Sequence, residues 1–360
     1  MGTVAPALVP ATPPDSPGSA GKPRSAFATL LRMAVSAALI AWLLRRTDFG
    51  EVAAAFRAAD LRLVLAALCL IPLGYLTSLC RWRLLLRAQG GDAPLSFLLQ
   101  SLMVGIFFNN LLPSTIGGDT VRAWDTARAG VGRATAVAVV VVDRFVGLLA
   151  LILFAAAGLA LAAPLAGRDP GSLAASLPQL TAWVCAIAAG LGLAAAVLFL
   201  PSRRMPDLLA RLGARLPGKL GGLPGKVAAA LFAFQGKGSV LVRAFGWSLA
   251  LQGIVVVNSW VLARALRVPI PLADFFLIVP LGLFLTMLPV SINGIGVRES
   301  SYAFFFRAFG VAASLGIAVA WLDYGLLLLQ AVAGGAVYAV LRGRSTASPP
   351  GLADAGEAAR

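Results

Sequence analysis

Apolar residues along this chain gather in long blocks, and polar residues crowd the gaps between them. Eight blocks stand out, at 27–44, 61–80, 95–112, 134–163, 179–200, 239–263, 272–290 and 308–341. They run from roughly 18 to 30 residues, about the length an α-helix needs to cross a bilayer. The pattern predicts an all-α, polytopic integral membrane protein.

Composition sharpens this reading. The chain is 59% hydrophobic and 12% charged, with a mean hydropathy of +0.87. A soluble domain carries about twice that charged fraction. Cys69, Cys80 and Cys185 all lie inside apolar blocks, so no disulfide framework is implied. The chain has no histidine, which removes the commonest general base and metal ligand, and no metal site or cofactor is expected. Its net charge of +15 comes from basic residues flanking the apolar blocks. That placement points to positive-inside topology and anionic lipid headgroups, with no role for nucleic acid.

The distribution of Lys and Arg favours six full spans, with blocks 95–112 and 272–290 entering and leaving on one side. In this scheme both termini are cytoplasmic. The first re-entrant block dips in from the cytoplasm and the second from the opposite face. Residues 1–25 and 345–360 read as disordered tails around a transmembrane domain at 27–342. Within that domain, 201–237 is a basic cytoplasmic segment. There Met205, Leu208, Leu209, Leu212 and Leu216 recur at helical spacing, as in a surface-lying amphipathic helix or an ordinary connecting helix.

Both re-entrant blocks end in similar motifs, LLPSTIGGDTVRAW at 111–124 and MLPVSINGIGVRES at 287–300. Without a gap, Leu112/Leu288, Pro113/Pro289, Ile116/Ile292, Gly118/Gly294, Val121/Val297 and Arg122/Arg298 coincide, and Thr115 faces Ser291. An internal, inverted duplication is the expected origin.

Each motif has a chemical logic. Proline breaks the helical ladder, so block 95–112 is expected to break near Pro113. Gly117, Gly118, Gly294 and Gly296 allow turns and close backbone approach. A helix restarting at Asp119 would present unpaired N–H groups, with Arg122 and Arg298 in the first turns of the two restarted helices. A helix start plus an arginine suits a phosphate. The alternative is that Arg122 pairs with Asp119 or Asp125, and Arg298 with Glu299. Asp143 and Arg144 lie within block 134–163, close to an interface. Asp323 has apolar sequence on both sides and must face the bundle interior, find a partner or be protonated. Asn109, Asn110 and Gln100 are polar positions of the dipping block. Gly158, Gly190, Gly192, Gly334 and Gly335 suit close helix packing.

The stretches FFNNLLPSTIGGDTVRAW, DRFVGLLAL and LPVSINGIGVRES, in that order, resemble the lysylphosphatidylglycerol synthase transmembrane family, whose members are often labelled flippase-like. The likeness covers about residues 27–342 and implies a bacterial inner-membrane protein. The family's marked positions correspond to Asn109, Pro113, Gly117, Gly118, Asp119, Arg122, Asp143, Arg144, Pro289, Ser291, Gly294, Gly296, Arg298 and Glu299. The soluble aminoacyl-transferring domain of full-length synthases has no counterpart in this sequence, so lysine transfer is not expected.

The resulting expectation is a lipid translocator acting on an anionic phospholipid or related lipid, without catalytic residues. Its headgroup-binding set is Asn109, Asn110, Ser114, Thr115, Gly117, Gly118, Asp119, Arg122, Asp143, Arg144, Ser291, Asn293, Gly294, Gly296, Arg298, Glu299 and Asp323. In it Arg122 and Arg298 hold phosphate, while Asp119, Glu299, Asp143 and Asp323 balance charge or handle protons. No GxxxxGK[ST] stretch exists, so transport would be passive, ion-coupled or partner-driven. The alternatives are a membrane enzyme acting on an isoprenoid or lipid-linked sugar, and a scaffold for a lipid- or glycan-biosynthetic partner.

Overall fold

The structure, a computed structural model, describes residues 47–111, 116–162, 233–287, 291 and 293–346, together with Ala41 and Arg45. Block 27–44 apart from Ala41, block 179–200, the segment 201–232, the expected tail 1–25 and residues 347–360 of the other expected tail lie outside the described residues, as do Pro113, Ser114, Thr115 and Pro289.

All regular structure among the described residues is helical. The elements are α1 (Phe49–Arg57), α2 (Leu61–Ala88), α3 (Leu95–Leu111), α4 (Ile116–Arg128) and α5 (Arg133–Ala162), then α6 (Gly238–Ala265), α7 (Leu272–Met287), α8 (Val297–Ala308) and α9 (Ala313–Thr346). Four of them, α2, α5, α6 and α9, are long and apolar enough to cross a membrane. The apolar helices α3 and α7 have 17 and 16 residues. At a rise of 1.5 Å per residue each is about 25 Å long, short of a hydrocarbon core of about 30 Å. The described parts of α3 and α7 end at Leu111 and Met287, and the break expected near Pro113 lies outside the described residues.

The helices form two matching series. A long helix, a short apolar helix, a short polar helix and another long helix occur as α2–α5 and again as α6–α9. The leading helices α2 and α6 are both 28 residues long, so their positions pair directly. They run antiparallel. The Asp60 N–H, at the start of α2, donates to the Ala265 carbonyl at the end of α6, 2.9 Å away. At the other end, Lys237 Nζ donates to the Ala88 carbonyl at 2.5 Å. Gly74 packs against Leu251, and these two are the fourteenth residues of their helices. A residue touching its own counterpart in an antiparallel pair marks a pseudo-two-fold axis. The halves are therefore inverted with respect to each other.

The halves also interlock. α3 of the first packs along α9 of the second, and α7 of the second along α5 of the first. Glycine permits both approaches. A Cβ on Gly158 of α5 would overlap the Phe276 carbonyl of α7, and one on Gly334 of α9 would overlap the Met103 carbonyl of α3. The packing use expected for Gly158, Gly334 and Gly335 matches these contacts. Phe107 and Phe108 of α3 then meet Tyr338 of α9, while Phe154 of α5 stacks on Phe276 of α7 at 5.3 Å.

Two large apolar clusters, among smaller ones, fill the interior of the described residues, and each draws on both halves. Trp82, Leu85, Leu98, Val142 and Phe234 anchor the first, and Val256, Phe275, Ile278, Phe306 and Val319 the second. Outward-facing Leu65, Leu73, Leu76, Val242, Leu328, Leu329 and Val332 leave an apolar periphery, as expected where lipid is the solvent. The loop between α2 and α3 is pinned by charge. Arg87 and Arg83 both donate to Asp92, which holds its carboxyl well below the usual range.

Candidate functional site

The two proline motifs meet in space but are built differently. In the first, the Gly118 N–H in the opening turn of α4 donates to Asn109 Oδ1 at 2.7 Å, so the end of α3 caps the start of α4. Gly118 also lies against the Gly105 backbone, where a Cβ would clash. In the second, Asn293, Gly294 and Gly296 all take positive φ (52°, 72° and 83°). Glu299 Oε2 accepts from the Gly296 N–H at 2.7 Å, tying the start of α8 to the turn before it. The turns touch where Asn293 Nδ2 donates to the Asn110 carbonyl at 3.4 Å. Asn110 also donates to the Ile106 carbonyl. Ser291 is buried, its Oγ without a protein partner. Gly117 lies in the first turn of α4.

The motif arginines differ most. Helix α4 is already helical at Ile116, three residues before Asp119. Arg122 therefore sits in the second turn of its helix, while Arg298 lies in the first turn of α8 as expected. Arg122 is buried, and its Nη2 donates to Asp143 Oδ2 at 3.0 Å. Its guanidinium stacks over Trp82, 4.4 Å from the ring centroid. Neither Asp119 nor Asp125 is its ion-pair partner. Asp119 pairs with Arg144 (Nε to Oδ2, 3.0 Å) nearer the surface.

Sequence reading missed Arg81, which lies just past an apolar block and resembled an ordinary flanking charge. Helix α2 continues to Ala88 and buries it. Arg81 Nε and Nη2 donate to both oxygens of Asp143 at 2.7 and 3.2 Å, and Nη1 donates to Ser248 Oγ at 2.7 Å. Asp143 is fully buried between two guanidinium groups. One carboxylate thus ties α2 and α4 to α5, while Arg81 carries the link on to α6. A partnered buried charge of this kind is costly to disrupt.

The same positions in the second half enclose space. A cavity of about 310 Å³ lies among α2, α3, α6, α7, α8 and α9, large enough for part of an amphiphile. Its walls are mostly apolar, including Ile71, Leu102, Leu251, Ile254, Val279 and Leu283. Its polar groups are Tyr75, Ser78, Asn258, Ser259, Thr286, Arg298, Tyr302, Asp323 and Gln330. Arg298 faces Tyr324 at 5.1 Å, and its Nη1 is buried without a hydrogen-bond partner among the described residues. Asp323 lies on the same wall without a direct ion pair to Arg298 among the described residues. Arg298 does not pair with Glu299 either, because that carboxylate is turned to Gly296.

Position by position, this cavity is the counterpart of the buried charge cluster. Asp143 and Asp323 are each the eleventh residue of their helices, α5 and α9. Arg81 of α2 corresponds to Asn258 of α6, and Trp82 to Ser259. Even the hydrogen bond next door recurs. Trp82 Nε1 donates to Thr126 Oγ1 at 3.1 Å, and Tyr302 OH donates to Ser259 Oγ at 3.4 Å. Thr126 and Tyr302 each follow their motif arginine by one helical turn.

Residues 29–335 match the family described as the lysylphosphatidylglycerol synthase TM region. The chain belongs to that family. No curated protein matches it. Family membership together with four membrane-length helices makes it a multi-pass membrane protein of a lysylphosphatidylglycerol synthase-type fold, related to lipid metabolism.

Of the expected headgroup residues, the structure brings Arg298 and Asp323 to the cavity, and places Asn109, Asn110, Gly118 and Asn293 at the junction of the two motifs. Arg122 and Asp143 lie together in the closed cluster, and Asp119 and Arg144 form their own pair. Ser114 and Thr115 lie outside the described residues.

Proposed function

We propose that the protein moves an anionic glycerophospholipid, or a related lipid, between the leaflets of a bacterial plasma membrane. In this reading α3 and α7 are half-crossings from opposite faces, and both chain termini are cytoplasmic. The observation that carries the proposal is the Arg298 side chain on the wall of a largely apolar cavity, with its Nη1 buried and without a hydrogen-bond partner among the described residues.

An arginine in a low-dielectric wall is a strong and geometrically selective phosphate holder. The apolar walls suit the glycerol ester region and upper acyl chain. Arg122 is held in the interior by Asp143, which it shares with Arg81, and by Trp82, so this reading gives the lipid phosphate to Arg298. This narrows the site from two arginines to one. The protein is a transporter and not an enzyme in this reading, and its lipid-handling residues need no nucleotide.

The test is transbilayer movement of a fluorescent phosphatidylglycerol in proteoliposomes, followed by dithionite quenching. Arg298→Ala should slow movement at least about ten-fold, the effect of losing one charge-assisted contact, with the melting temperature little changed. Undiminished movement in that variant would refute Arg298 as the phosphate holder.

A further inference from the structure

The filled charge cluster shows what the cavity at the equivalent positions is shaped to receive. In the first half, the Arg81 side chain spans from Asp143 to Ser248 Oγ, while Arg122 stacks on Trp82. In the second half, the position of Arg81 holds the shorter Asn258, whose Oδ1 has no hydrogen-bond partner among the described residues. The position of Trp82 holds Ser259. The counterpart of Ser248 is Ile71, which offers no hydrogen bond. Asn258 lines the cavity, and its Oδ1 is buried without a donor among the described residues. An acceptor in that setting gains most from a donor brought by a ligand.

We propose that Asn258 and Ser259 determine which headgroup the cavity accepts: a ligand's N–H or O–H donor takes the place that Arg81's own guanidinium fills in the first half. The donor sits beside Asn258 Oδ1 and Asp323, while Arg298 holds the phosphate. The first half is then a copy of the site liganded by its own side chain, and only the second half is free to bind. This inference rests on the lipid reading above, and it adds that the headgroup must carry a donor beyond the phosphate.

The experiment is native mass spectrometry of the purified full chain, titrated separately with phosphatidylglycerol, phosphatidylethanolamine, phosphatidylmethanol and phosphatidylcholine. The first two carry a headgroup O–H or N–H donor, and the last two do not. Wild type should bind the donor-bearing lipids at least about ten-fold more tightly, the discrimination given by one buried hydrogen bond. If ethanolamine exceeds glycerol, Asp323 is receiving a cation; if glycerol equals or exceeds it, the Asn258 amide supplies the selectivity.

Asn258→Leu should erase the preference while leaving the phosphate-dependent binding of phosphatidylmethanol intact. The double variant N258R/S259W should refill the cavity and lose lipid binding altogether, with a melting temperature at or above that of wild type. If the double variant fails to fold, Asn258→Leu alone decides the matter. An unchanged preference in Asn258→Leu, with binding still lost in Arg298→Ala, would overturn this inference and leave the lipid reading standing. Binding that is indifferent to Arg298→Ala would remove both.

Discussion

Arg81 and Asn258 are the twenty-first residues of two equally long, antiparallel helices, and only Arg81 reaches the carboxylate of its own half. Among the described residues, that difference separates a filled charge cluster from a cavity at the equivalent positions. Asp143 of the cluster is wrapped by two guanidinium groups. Asp323 lines the cavity with one arginine on the same wall.

The filled cluster is expected to carry stability. Asp143→Asn leaves Arg81 and Arg122 as buried cations without a counter-charge, a change that costs about 3–5 kcal/mol. Thermal unfolding in detergent should show a large fall in melting temperature. Asp323→Asn, which disturbs no ion pair, should shift it far less. Equal effects would contradict the contrast between cluster and cavity.

The glycine crossings are expected to be intolerant of side chains. Gly334→Leu forces α9 away from the Met103 carbonyl, and Gly158→Leu forces α5 away from Phe276. Each should cost about 1–3 kcal/mol or more through overpacking. Gly325→Leu, where a Cβ has open space, is the control. Melting temperatures of the three variants check this directly.

These crossings show how far the sequence could be read. Helix positions followed from apolar blocks, because a lipid-facing helix must be apolar along its whole length. The proline motifs followed from their matching letters, and Arg298 at a helix start from the glycines before it. Arg81 did not follow. It stands where a span was expected to end, and a charge at that place ordinarily serves topology. Its role depends on α2 running to Ala88 and on Asp143 facing it from α5, a pairing across 62 residues of sequence. The inequality of Arg122 and Arg298 was hidden for the same reason. Their motifs look alike, and the difference lies in α2 and α6, where Arg81 and Trp82 give way to Asn258 and Ser259.

The inversion of the halves is open to chemical labelling. Arg128 and Arg307 lie in the last turns of α4 and α8, which occupy equivalent places in the two halves. In a background with Cys69, Cys80 and Cys185 replaced, Arg128→Cys and Arg307→Cys should react with an impermeant maleimide from opposite faces of the membrane. Reaction from one face would contradict an in-plane pseudo-two-fold axis.

Acid should loosen the α2–α3 loop. The Asp92 carboxyl is held below its usual range by Arg87 and Arg83, so its contribution is present above the unfolded carboxylate pKa of about 4 and is lost as pH falls below it. The group is exposed, and screening by water keeps the effect small, at most about 2 °C in melting temperature. The difference between wild type and Asp92→Asn should be visible at pH 7 and shrink toward zero in strong acid.

The central claim is that lipid binds in the second half alone, and imaging the protein in nanodiscs of phosphatidylglycerol by electron cryo-microscopy tests it most directly. A headgroup density in contact with Arg298 and Asn258, with Arg122 still bound to Asp143, is the expected result. A headgroup seated on Arg122 with the Arg81–Asp143 pair opened, or lipid confined to the outer surface while the cavity stays unfilled, would contradict it.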